Sequence, residues 1–140
     1  MTRPPNSQRA SLILGALVLG VSWVCGAAQA STPRVVSLNP SLTAILLAVG
    51  AEANLVGVDD YSAAEIPEVA ALPRVGGLFS PSLEAVMALR PDAVVLVPSA
   101  EQRDFRARLE QLGIRVVAFA NIRFEDVLEN IRGLGALVGR

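Results

Sequence analysis

The sequence has no histidine and no lysine, a single cysteine, and only 4% aromatic residues in a chain of 140. Each shortage excludes a class of chemistry. Without histidine a serine nucleophile has no imidazole base, and a His/Cys zinc or haem-ligand cluster cannot be assembled. Without lysine the run Val75-Gly76-Gly77 lacks both the cation and the spacing of a phosphate-binding loop. The twelve basic groups are all arginine, set against thirteen acidic residues for a net charge of −1. They form no stripe able to neutralise phosphates, so the sequence excludes nucleic acid as a partner.

What is abundant is apolar: 52% of the residues are hydrophobic against 18% charged. One segment inflates that figure. Residues 1–9 are polar and carry Arg3 and Arg9, residues 11–28 are almost wholly apolar, and Ala28-Gln29-Ala30 follows. A basic start, an apolar stretch and an A-x-A site predict a Sec-type signal peptide over residues 1–30, cleaved after Ala30. An uncleaved anchor is the second reading, although a membrane span wants about 20 apolar residues and Ser22 and Gly26 interrupt this run. Lipid attachment at Cys25 is disfavoured because Ser22-Trp23-Val24 lacks the usual small residue before the cysteine. Cleavage leaves a domain of residues 31–140 with ten arginines and thirteen acids, net −3. It also removes the thiol, so the exported form has no disulfide.

Beyond the leader, short valine-rich runs start at residues 35, 55, 74, 93 and 116, the one at 74–76 being the weakest. Their spacing of roughly 20 residues fits a strand plus a crossover helix. The runs lack polar alternation, as expected of strands buried on both faces. Between them, Leu42, Ile45, Leu46 and Val49 recur at helical spacing and stop at Gly50. Leu83, Val86 and Met87 do likewise after Ser80-Pro81, as do Phe105, Leu109 and Leu112 before Gly113, and Phe124, Val127, Leu128, Ile131 and Leu134 at the end. Met87 and the phenylalanines are read as core. The predicted fold is α/β, a parallel sheet of about five strands with helices on both faces. The last helix has no closing strand after it, so Arg140 reads as a truncation more than a natural end.

In such a sheet ligands bind at the carboxyl ends of the strands, here the loops at residues 39–41, 59–62, 76–80, 98–100 and 121–122. These are small and polar, with Tyr61 and Phe79 as their aromatics, and they suit a hydrogen-bonding and stacking surface. Asp59-Asp60 could suggest a Mg²⁺ site, but the further acid and lysine of a receiver-like domain are missing. The expectation is that Asp60 caps a turn and Asp59 is solvated. No catalytic set assembles, and the chain is read as a non-enzyme without a cofactor.

The run Arg34-Val35-Val36-Ser37-Leu38-Asn39-Pro40-Ser41-Leu42-Thr43 resembles the opening of the periplasmic binding proteins for vitamin B12, ferric siderophores and haem, with Ala44 where the family usually has Glu. Leu72-Pro73-Arg74-Val75-Gly76-Gly77, then Ser82-Leu83-Glu84, Leu89-Arg90-Pro91-Asp92-Ala93-Val94 and Leu112-Gly113-Ile114-Arg115-Val116 are similar to later motifs of that family, in the same order. The resemblance implies one lobe of a two-lobe protein whose lobes are joined by a long helix, the C-terminal lobe being absent. It implies a periplasmic monomer that captures a metal-chelate nutrient (a corrinoid, ferric siderophore or haem) and delivers it to an ABC permease, with its ATPase, in the inner membrane. Asn39, Pro40, Tyr61, Gly77, Phe79, Ser99 and Asn121 are the implied ligand contacts, and Glu101 the implied permease-docking residue. Cobalamin-binding members carry an aromatic where this chain has Val97-Pro98, a departure that counts against cobalamin itself and leaves corrinoids and siderophores open. Tyr61 is the one tyrosine that could ligate haem iron. The alternative is the N-terminal half of an exported α/β enzyme whose catalytic residues lie beyond Arg140.

Overall fold

Val35–Ser37 (β1) is fully buried, and its β-branched residues suit a strand covered on both faces. It pairs in parallel with Leu55–Val58 (β2) on one side and with Ala93–Leu96 (β5) on the other. Arg115–Ala118 (β6) adds to the far side of β5, from Ala93↔Arg115 to Leu96↔Ala118. These strands belong to a computed structural model that describes residues 32–140. The predicted signal peptide, its cleavage site and Cys25 lie outside the described residues.

The sheet therefore has four parallel strands in the order β2-β1-β5-β6, one fewer than expected. The weak run at 74–76 is reduced to a single parallel bridge, Val58↔Arg74. Gly76 turns the chain away with φ +103, a conformation that a residue with a Cβ avoids. The segment continues as a two-residue hairpin instead, Gly76–Gly77 (β3) against Ser80–Pro81 (β4).

Alternation along the strands divides the core in two. Val35 and Val95 face Leu42 and Leu46 of Pro40–Ala48 (α1), Ala63 of Asp60–Glu65 (α2) and Leu134 of Phe124–Leu137 (α5). Val36, Val94 and Leu96 face Val86 of Leu83–Ala88 (α3) and Leu109 of Arg103–Gln111 (α4). Each fully buried Leu or Val contributes roughly 1.5–3 kcal/mol of transfer free energy. Gly50 and Gly113 follow α1 and α4 with φ +73 and +79, the left-handed stop predicted at both sites. The strand-one and strand-five motifs are also tied to each other. The Arg34 N–H donates to Asp92 at 2.7 Å, and the Arg34 guanidinium donates to the carbonyls of Leu89 and Arg90 at the end of α3.

Two core assignments are corrected. Met87 sits at the exposed side of α3, because a helix of six residues has room to bury only Val86 fully. In α5 the predicted apolar stripe is turned outward: Phe124 is 75% exposed, and Leu128 and Ile131 are exposed as well. Leu134 is buried together with the polar Asp126 and Asn130. Two polar ties set that rotation. Asp126 accepts the N–H groups of Ile122 and Arg123 at 3.0 and 2.8 Å, and Asn130 donates to the Ala120 carbonyl at 2.6 Å. Phe119, by contrast, is core as expected, packed so closely on Gly133 that a Cβ there would lie 2.7 Å from its ring.

Candidate functional site at the strand ends

The chain leaves β1 for α1 on one face of the sheet and leaves β5 for α4 on the other, so the two connections diverge between neighbouring strands. Such a switch point opens a crevice at the carboxyl ends of open parallel sheets. Here it holds a hollow of about 80 Å³ lined by Leu38, Asn39, Leu78, Phe79, Val97, Ser99 and Gln102. A second hollow of about 320 Å³ adjoins it through Ser99 and Gln102, and is lined further by Leu96, Pro98, Ala100, Arg103 and Arg106.

The local chemistry explains how each wall is held. Asn39 caps α1, its Oδ1 accepting the Ser41 N–H at 2.9 Å. That occupies one lone pair of its acceptor, and the amide N–H₂ is left to be offered to a guest. Phe79, 64% exposed, is carried by the hairpin turn. Ser99 Oγ accepts the Gln102 N–H at 3.2 Å, which fixes the turn into α4. Gln102 Nε2 donates to the Leu78 carbonyl, joining the hairpin to the β5–α4 loop.

Beside the crevice, the β1–α1 and β2–α2 loops share a buried polar chain. Asp59 is fully buried and caps α2: its Oδ1 accepts the N–H groups of Tyr61 and Ser62 at 3.0 Å each, and its Oδ2 accepts the Ser62 hydroxyl. Thr43 Oγ1 lies 3.0 Å from Ser62 Oγ, 2.9 Å from Ser37 Oγ and 3.1 Å from the Asn39 carbonyl. The sequence expectation was the reverse, Asp60 capping and Asp59 solvated. Asp60 is exposed, because the residue preceding the helix, not its first residue, is placed to meet the free N–H groups.

Of the residues singled out from sequence, the structure brings Asn39, Phe79 and Ser99 into one hollow. Gly77 lies in the strand leading to the Phe79 turn and Pro40 opens α1. Tyr61 stands exposed on α2, and Asn121 is exposed in the loop after β6. None of these four lines the hollow. Glu101 is exposed in the turn before α4. Gln102 was missed. Its one local signal is its place before the helix, where glutamine is not a favoured cap, and its tie to Leu78 spans 24 residues. Among the described residues no cluster of three or more His, Cys, Asp or Glu is placed to hold a metal ion, and no helix is long and apolar enough to cross a membrane.

A family profile described as periplasmic binding protein matches residues 35–140. A vitamin B12-binding protein of Salmonella typhi is 34% identical over 124 residues, covering 88% of this chain and 44% of the relative. Among solved structures, a periplasmic heme-binding protein from Pseudomonas aeruginosa is similar with a TM-score of 0.68 and 32% identity, over 76% of this chain and 38% of that one. A Fe³⁺-Desferal-bound siderophore-binding protein from Vibrio cholerae is similar with a TM-score of 0.66 and 28% identity, over 78% and 43%. The chain spans between 36% and 44% of the length of the curated relatives it matches.

Proposed function

Since the chain belongs to the periplasmic binding protein family, we propose that it is one wall of the ligand clamp of an ABC importer's solute-binding component, capturing a corrinoid, ferric siderophore or haem outside the cytoplasmic membrane. The observation that carries this reading is the hollow at the switch point, where three of the loop residues named from sequence converge on a small cleft of mixed polarity. Relatives with this fold bind vitamin B12, haem and a ferric siderophore, flat or compact chelates that an open, partly aromatic surface can grip. The work is binding alone. The strand-end loops hold no paired acid and base, and the relatives are named for binding, which gives the truncated-enzyme alternative no support.

Ligand contact on this wall is assigned to Asn39, Phe79 and Ser99, with Pro40, Gly77, Tyr61 and Asn121 as further candidates outside the hollow. Glu101, exposed before α4, is the residue offered to an arginine-bearing permease. A rim carboxylate of this kind steers encounter and orientation more than it adds affinity.

The test is a titration of the full chain with cyanocobalamin, ferric desferrioxamine and haem, followed by amide resonances. At least one chelate is expected to shift Asn39, Phe79 and Ser99, with an affinity weaker than micromolar because a single wall offers few contacts. No shift at these loops with any of the three, or micromolar binding elsewhere on the surface, overturns the proposal.

A further inference from the structure

Among the described residues, a single buried side-chain polar atom lacks a hydrogen-bond partner: Oε1 of Gln102. The residue is 4% exposed and lines both hollows at the switch point. Folded proteins rarely leave such an atom unpaired, because a buried acceptor without a donor carries its full desolvation cost. The orientation of the amide is not arbitrary. Nε2 faces the Leu78 carbonyl, and rotating the amide by half a turn would set two oxygens against each other. The atom left over is therefore an acceptor.

We infer that Gln102 Oε1 is the specificity contact of the cleft, reserved for an N–H or O–H donor on the ligand, a primary carboxamide at the edge of a macrocycle being the group that fits. The inference rests on the strand-end hollow being the binding surface, as proposed above. Size supports it. A volume of about 80 Å³ open to the centres of water molecules, where roughly 10–15 Å³ suffices to hold one, takes several waters or one substituent of a larger ligand. The macrocycle would lie on the open side, against Phe79, with one arm in the hollow. The other polar groups there agree in part: Asn39 offers donors to the carbonyl of the same carboxamide, and the Ser99 hydroxyl can turn either way. Haem, whose polar edge carries ionised carboxylates, would place acceptor against acceptor at Gln102, so the atom discriminates as well as attracts. Arg103 and Arg106 line the neighbouring hollow, and Arg106 is engaged by Glu110 at 2.8 Å.

The experiment compares cyanocobalamin, which bears primary carboxamides, with haem, on the full chain. In the unmodified protein, cyanocobalamin should shift the Gln102 side-chain amide resonances together with those of Phe79 and Ser99. Gln102→Met, close in size and without polar atoms, should weaken cyanocobalamin about tenfold, the loss expected for one desolvated hydrogen bond, and bind haem at least as tightly as wild type, because the acceptor that opposes its carboxylates is gone. The wild-type side-chain shift needs no variant and stands even if Gln102→Met disturbs the hairpin. The inference fails if cyanocobalamin shifts the loops but not the Gln102 amide, if Gln102→Met binds cyanocobalamin as tightly as wild type, or if the variant weakens haem equally. If neither probe nor ferric desferrioxamine moves any strand-end resonance, it is the binding surface itself that has been misplaced.

Discussion

The buried chain from Asp59 through Ser62, Thr43 and Ser37 to the Asn39 carbonyl makes a prediction that depends on counting protons. Both of its ends accept: the Asp59 carboxylate at one and, at the other, the Asn39 carbonyl, which lies 3.4 Å from Ser37 Oγ and 3.1 Å from Thr43 Oγ1. Three hydroxyls supply three protons for five close oxygen pairs, so two of the pairs in wild type lack a hydrogen. Asparagine at position 59 reduces the deficit by one. Its Oδ1 can keep the two helix N–H groups, while its Nδ2 donates to Ser62, which turns to Thr43, then Ser37, then the Asn39 carbonyl. Asn and Asp cap helices about equally well, and the buried charge is removed. Asp59→Asn should therefore stay within about 1 kcal/mol of wild type despite replacing a fully buried ion. Thr43→Val keeps the shape and cuts the chain, leaving Ser62 with Asp59 alone and Ser37 with the Asn39 carbonyl alone, and should cost about 1–2 kcal/mol. Ser62→Ala leaves a carboxylate oxygen unpaired and should cost about as much or more. Urea unfolding followed by far-ultraviolet circular dichroism reads this directly: with a slope of roughly 1–3 kcal/mol per molar, the Thr43→Val midpoint falls on the order of 1 M. An Asp59→Asn protein less stable than Thr43→Val would refute the proton count.

Three further expectations follow from single contacts. Gly76→Ala would force a Cβ to 3.0–3.2 Å from the backbone of Ser80, Pro81 and Ser82 at a positive φ, so it should cost roughly 1–3 kcal/mol and broaden the Phe79 resonance as the hairpin loosens. Asp126 is held below the ordinary carboxyl range, first by the N–H of Arg123, then by that of Ile122, with burial opposing and the Arg123 charge assisting. A depressed folded value means that its stabilisation is complete above the unfolded value near pH 4 and is lost as pH falls through the folded one. Asp126→Asn should flatten the acid limb of the stability–pH curve below about pH 4 and leave its neutral plateau flat, as read by urea midpoints across that range. Glu101→Arg should reduce uptake through, or retention on vesicles carrying, the cognate permease while chelate-induced shifts at Asn39 and Ser99 persist; unaltered retention removes Glu101 from the docking surface.

The strands were legible because valine runs at 35, 55, 93 and 116 report burial residue by residue, and the stops at Gly50 and Gly113 report a local backbone need. The motifs from Arg34 to Val116 were legible for a deeper reason that the structure supplies: the main-chain N–H of Arg34 donates to the Asp92 carboxylate 58 residues away, and its guanidinium donates to the carbonyls of Leu89 and Arg90 in the same L-R-P-D step, so two separate patterns record one junction. What failed was whatever depends on rotation or on strand order. The period of α5 located an apolar stripe, but Asp126 and Asn130 decide which side faces the core, and their carbonyl and amide partners lie in the preceding loop. Gln102 carries no pattern at all. Its meaning arises only because β5 lies beside β1, so that the turn into α4 meets the hairpin from residues 76–81 over the end of the first strand. A helical or strand period cannot encode that meeting, since it is a property of sheet order. One rule could have narrowed it: if β1 is central and its neighbours send helices to opposite faces, the loops after β1 and after the strand on its other side must share a crevice. The sequence named the two loops, and the unpaired oxygen between them is where the fold adds information that no list of loop residues contains.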